Sequence, residues 1–259
     1  MFFKLYLILT RIRLNFFWTI PKAMERAKKT WYFVEPVSKL HDFYNILHLP
    51  YTGMVLAFVI IGSAYSPHLY ISRLGAALVA FFLGLGIGAH AIDQLEPSGS
   101  RYVKHLSKEE LKIIAFFSLL VASLIGIYYT FTLGWIILLF VATGLFFSLA
   151  YPLPTYFFGG LFHNRPSFAF SWGFFPFITG YFVNSQGLEY SVFFAALPIA
   201  GAAWAELTWS RKARKARREG LPEDFYRKEE RKLKCLVIAV YLTAVSALLF
   251  KLFYGSVVL

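Results

Sequence analysis

The stretch ISRLGAALVAFFLGLGIGAHAI, residues 71–92, followed by Asp93-Gln94-Leu95-Glu96, decides the fold. Arg73 is its one formally charged side chain, and two carboxylates close it. A helix that crosses a bilayer needs about 20 predominantly apolar residues, and this run supplies them. Six further runs of similar character lie at 51–65, 113–129, 132–151, 168–183, 191–207 and 235–253. None has the strict alternation of a membrane β-strand, so all seven are read as helices.

Composition agrees. Apolar residues make up 58% of the 259 and charged residues 15%, against roughly 25% charged in ordinary globular proteins. A soluble domain of this size would leave much of its Phe, Leu and Ile exposed, and it would aggregate. The same balance excludes a disordered chain and a nucleic-acid binder with a basic globular face. Cys235 is the single cysteine, so an intrachain disulfide and a thiolate metal cluster are both excluded. The expected fold is all-α: a polytopic integral membrane bundle of about seven helices.

Lys and Arg set the orientation. With seven spans, every one of the 26 cations except Arg73 and Lys251 falls on one side. This predicts a protein integral to the cell membrane, with its N-terminus cytoplasmic and its C-terminus outside. The first twenty residues, MFFKLYLILTRIRLNFFWTI, carry Lys4, Arg11 and Arg13 inside an apolar run. That pattern suits a helix lying in the headgroup region better than a cleaved signal peptide. Residues 1–49 are therefore read as an interfacial amphipathic segment. Residues 50–259 are read as one transmembrane domain with a cytoplasmic basic connector at 208–234.

Carboxylates at the edge of spans are functional candidates. His90, Asp93 and Glu96 recur every three residues on one helical face, and Glu206 closes the sixth span at the same expected depth. Oxygen ligands so placed suit Mg²⁺ holding a phosphorylated ligand. The competing structural reading makes Glu206 an ion-pair partner of Arg211. Arg165 is either a bidentate phosphate clamp or an interface anchor. The run RKARKARR at 211–218 is either an anchor for anionic lipid or a diphosphate site containing Arg211 and Arg214. Gly84, Gly86 and Gly88 predict close helix packing, and Pro176 and Pro198 predict kinks.

Four segments together resemble the UbiA superfamily of intramembrane prenyltransferases. They are GIGAHAIDQLE at 86–96, Tyr151-Pro152 after the fourth span, SWGFFPFITGYF at 171–182, and the carboxylate ending the sixth span. The resemblance covers roughly residues 40 to 220. It implies a helical bundle around a cavity and transfer of a polyprenyl group from its diphosphate to a lipid or aromatic acceptor. It also implies Mg²⁺ on Asp93, Glu96 and Glu206, with Arg165, Arg211 and Arg214 meeting the diphosphate. Asp93 and Glu206 would be catalytic, and Tyr151 or Tyr156 would shield the allylic cation. The aspartate motifs are thinned here: Ser210 and Arg214 follow Glu206 at four-residue steps where the family repeats Asp. Expected partners are an isoprenyl diphosphate or another isoprenoid lipid, anionic membrane lipids, and no nucleic acid. The alternative is a non-catalytic protein that binds an isoprenoid lipid, or a subunit of a larger membrane complex.

Overall fold

A computed structural model of the chain describes residues 30–96 and 102–258. The proposed interfacial helix at 2–20 lies outside those residues. Helix α1 (Lys39–Ile46) meets α2 (Leu49–Tyr65) at a bend of 44°. A short strand β1 (His68–Tyr70) leads into α3 (Ile71–Phe81). Helix α3 continues through a π-helical stretch, Phe82–Ala89, into α4 (His90–Asp93). Then come α5 (Lys108–Leu133), α6 (Ile136–Ala150), α7 (Arg165–Ala169) and, after a second π turn at Phe170–Phe174, α8 (Phe175–Ser185). The long helices α9 (Tyr190–Arg218) and α10 (Glu223–Tyr254) and the strand β2 (Ser256–Val258) complete the chain.

Among the described residues, four helical stretches are long and apolar enough to cross a membrane, or five if the bent pair α1–α2 is one span. The seven apolar runs all lie mainly on helix, but not all reach crossing length as single elements. Helix α6 has 15 residues, and the run at 168–183 is split by its π turn. Pro176 sits in the first turn of α8, where its ring would press on the carbonyl four residues back, and the π turn accommodates it. Pro198 is carried inside an unbroken α9.

Local chemistry fixes several ends. Ser107 and Glu110 form a reciprocal capping box that starts α5. The Asn164 side chain accepts from Ser167 N at 2.8 Å, and Pro166 occupies the first turn of α7. Asp42, fully buried, accepts from Lys104, His105 and Leu106 backbone N–H groups at 2.5–3.0 Å. That carboxylate pins the connector after α4 onto α1.

Small residues bring the central helices together. A Cβ on Gly62 of α2 would fall 2.0 Å from the Phe177 carbonyl of α8, and one on Gly180 would fall 2.2 Å from the Val59 carbonyl. The Ser63 hydroxyl also donates to Gly180 O at 3.0 Å. Gly86 and Gly88 pack against Thr52 and Leu119, as close-approach sites should. Helices α5 and α10 instead turn apolar side chains outward, with Phe131 84% and Phe253 77% exposed. Continuous apolar faces of this kind belong against lipid rather than water.

One end of the bundle is stitched by residues far apart in sequence. Strands β1 and β2 pair in parallel there, and Lys251, buried, donates to the Ser66 and Pro67 carbonyls. Arg73 donates to Val183 O at 3.2 Å and lies over the Tyr70 ring. Arg73 and Lys251, the two exceptions to the cation pattern, thus share this end. Asp93 and the 211–218 run lie at the other.

Candidate functional site

At that second end a polar cavity of about 160 Å³ opens between α2, α4, α9 and the segment at 30–32. A single water needs roughly 10–15 Å³ measured this way, so the space holds on the order of ten waters or a polar head group. Asp93, Glu206, Tyr151, Arg211 and Arg214, all candidates from the sequence, line it together.

Helix α9 supplies most of the charge. Glu206, Ser210, Arg214 and Arg217 recur at helical spacing, and Arg211 borders the same face. In RKARKARR, Arg211, Arg214 and Arg217 are half-buried and line the cavity, while Lys212, Lys215 and Arg218 are exposed. The run thus presents two stripes: one faces the cavity and the other faces outward. Arg214 faces Tyr32, Tyr102 and Asp93. Arg217 pairs with Glu230 of α10 and lies 4.4 Å from the Tyr226 ring centroid. Glu206 is buried, 4% exposed, so it is no superficial interface carboxylate.

Aromatic rings form the remaining wall. Tyr151 stacks on His163 at 4.8 Å and lies 5.0 Å from Trp172. His163 Nδ1 is 2.8 Å from Tyr151 O, so that nitrogen donates. Tyr32 sits edge-on to Tyr51 at 5.3 Å. Burial, with the Tyr51 and Tyr102 phenols beside it, pushes the Tyr32 phenol well above its ordinary pKa. It stays a neutral hydroxyl donor.

The π-helical stretch aims His90. Its Nδ1 lies 3.1 Å from Gly86 O, inside that stretch. His48, between α1 and α2 at φ 43°, brings its ring to 4.6 Å from that of His90.

Three expected site residues lie elsewhere. Glu96 is buried but accepts from the Thr155 hydroxyl and is not part of the cavity wall. Tyr156 is 66% exposed. Arg165 is exposed at the start of α7, away from the cavity. The spacing of Asp93 and Glu96 placed both on one face of a continuing helix, but α4 ends at Asp93 and the chain turns before Glu96. Among the described residues no three His, Cys, Asp or Glu side chains come together as a metal site. The expected Mg²⁺ set of Asp93, Glu96 and Glu206 therefore does not assemble as three ligands: Asp93 and Glu206 share the cavity with three arginines, and Glu96 is turned toward Thr155.

Sequence reasoning missed Trp31, His48, Tyr102, Trp172 and Glu230, all in the cavity wall. Two of them carried a signal: Trp172 lies within the SWGFFPFITGYF segment, and Glu230, with Glu229, is a carboxylate within a connector otherwise dominated by cations. No protein-family profile, no curated protein and no solved structure matches the chain.

Proposed function

We propose that this chain is a UbiA-like intramembrane prenyltransferase of seven crossing segments, with its N-terminus and its polar cavity on the cytoplasmic side. The observation that carries the reading is the convergence of Arg211, Arg214 and Arg217 with Asp93 and Glu206 in one cavity at one end of an apolar bundle. A second, almost wholly apolar groove of about 120 Å³, sharing no lining residue with the polar cavity, runs between α3, α5, α6 and α8 toward the Arg73 end. A charged head site at one end of a bundle that also holds an apolar groove suits an amphiphile whose head is a diphosphate and whose tail is a hydrocarbon.

In this reading the guanidiniums hold the diphosphate through charge-assisted, bidentate hydrogen bonds. As the allylic C–O bond breaks, negative charge grows on the departing diphosphate, and the preorganised arginines stabilise it. The Tyr151 and Trp172 ring faces stabilise the allylic cation on the other side. Asp93 and Glu206 keep the arginines oriented and leave the site short of a full positive charge when empty. No step is assigned to a metal ion, since among the described residues no three ligands gather and Glu96 lies outside the cavity wall.

The test is thermal stability of the purified protein in detergent with geranylgeranyl diphosphate, comparing wild type with Arg214→Gln and Glu206→Gln. A ligand at a hundred times its dissociation constant stabilises by ~2.7 kcal/mol. The reading expects that shift in wild type, its loss in Arg214→Gln, and diphosphate release on adding an acceptor. A shift without turnover on any acceptor supports a lipid-binding protein instead. No shift with any chain length defeats both.

A further inference from the structure

Arg73 is the one Lys or Arg within the apolar stretch Ile71–Asp93, and it stands at the mouth of the apolar groove. An arginine at a membrane interface ordinarily lays its stem along apolar surface and lets its head group move among the lipid heads. Here the head is held in place. Its guanidinium lies 3.8 Å from the Tyr70 ring centroid, and Nη1 donates to Val183 O at 3.2 Å. No carboxylate pairs with it among the described residues. Glu189, the one Asp or Glu of this end among them, lies beside Tyr181 and Ser191 instead.

The groove behind Arg73 has the depth of one lipid leaflet. It follows α3 and the start of the π-helical stretch from Arg73 to Leu85, roughly 18 Å at helical rise. Half of a bilayer's hydrocarbon core measures ~15 Å. Ser123 and Thr179, on its wall, donate within their own helices to Leu119 O and Phe175 O, which leaves the lining apolar. A second, shallower apolar trough runs along the outer face of the α3–α5 seam and shares Ala76, Ile125 and Tyr129 with the groove. Ala76 is one turn from Arg73. Val79, Leu124 and Tyr128 of the trough are exposed, so it opens toward lipid.

We propose that the α3–α5 seam binds a two-chain anionic phospholipid from the leaflet on the Arg73 side. Its phosphate meets Arg73, one chain enters the groove, and the other lies in the trough. Two apolar channels that meet beside one fixed cation call for two chains on one anionic head. With Glu189 engaged elsewhere, a choline group would find no carboxylate at this end, whereas a head of net negative charge needs only the guanidinium. The inference does not rest on the prenyl-transfer reading, because the groove shares no lining residue with the polar cavity and Arg73 lies at the opposite end from the arginines of α9. Where both hold, the two ligands enter the bundle from opposite ends, and their chains meet where Leu85 and Ala89 stand about one turn apart.

The experiment uses the full chain, delipidated in dodecylmaltoside, and reads bound lipid by native mass spectrometry. Phosphatidylglycerol is compared with phosphatidylcholine of the same chains and with one-chain lysophosphatidylglycerol. Wild type is expected to hold one phosphatidylglycerol about tenfold more tightly than phosphatidylcholine, the effect of one hydrogen bond to a charged group, and more tightly than the one-chain lipid. Arg73→Gln should remove the preference for phosphatidylglycerol, and Arg73→Lys should keep most of it. Gly84→Leu should lower retention of both two-chain lipids. A Cβ there meets only Ala122 Cβ, at 3.7 Å, so the backbone tolerates it while the longer side chain fills the groove. Lys212→Gln with Lys215→Gln, on the exposed stripe of α9, should leave the tightest-bound lipid in place. Equal retention of phosphatidylglycerol and phosphatidylcholine, or a preference that survives Arg73→Gln, overturns the proposal. A preference lost in the Lys212 and Lys215 variant also overturns it and places the lipid on α9. If Arg73→Gln does not fold, wild-type retention by Gly84→Leu, or equal binding of the one-chain lipid, overturns it as well.

Discussion

Arg217 and Glu230 form an ion pair across the α9–α10 hairpin, each side chain only 11% exposed, at the edge of the cavity that Arg211 and Arg214 also line. Arg217 Nε is buried with no partner of its own, so the guanidinium has donor capacity that Glu230 does not use.

Glu230→Gln should therefore act in two directions. Without ligand it leaves a largely buried cation poorly compensated, and melting should show a loss of about 3 kcal/mol. With pyrophosphate present, the released Arg217 should bind the anion more tightly, and the stabilising shift should exceed that of wild type. A variant that loses stability but gains no anion response would mean that Arg217 only ties the hairpin.

Diphosphate binding should persist when Mg²⁺ is replaced by EDTA, because guanidiniums rather than clustered carboxylates face the ligand. Arg211→Gln and Arg214→Gln should each weaken the pyrophosphate-induced melting shift, whether or not Mg²⁺ is present. A shift seen only with Mg²⁺ would contradict this.

Gly62→Ala should cost about 3 kcal/mol, because the new Cβ would meet the Phe177 backbone carbonyl, which cannot swing aside as a side-chain tip would. Gly201→Ala provides the control. It lies on α9 with nothing within 4 Å of the added carbon, and alanine favours helix by about 1 kcal/mol. Thermal melts of both variants in one detergent should differ in sign.

Sidedness can be read with single cysteines in a Cys235→Ser background. Glu219→Cys and Gly187→Cys both lie in exposed turns, at opposite ends of the bundle. In sealed right-side-out vesicles an impermeant maleimide should label the cysteine at 187 and spare the one at 219, and inverted vesicles should give the reverse. Equal labelling would overturn the crossing pattern.

Hydropathy located the helices well, since a long apolar run fixes where a helix lies along the bundle axis. It did not fix which way each side chain turns about its own helix. Glu206 and Arg214 were legible because they lie four-residue steps apart on one uninterrupted helix. Glu96 and Arg165 were misplaced because each sits where a helix stops or starts, and a turn there re-aims the side chain. Trp31 and Tyr102 come from connectors that fold back over the cavity, and no local periodicity announces such a return. The count of spans is less legible than the helices for a related reason. Average hydropathy does not register that Pro176 divides one run into two short helices and a π turn.

The π-helical stretch at Phe82–Ala89 has a consequence for how this chain tolerates insertions and deletions. Each residue of an α-helix turns the next by about 100°, and a π stretch takes up one extra residue without lengthening the crossing much. The angular phase of His90 and Asp93 is thereby uncoupled from that of Ile71–Phe81. Loss of a single residue between 82 and 88 could restore a regular helix while rotating both polar side chains off the cavity. The outer half would remain packed as before, so the site would change and the bundle would survive.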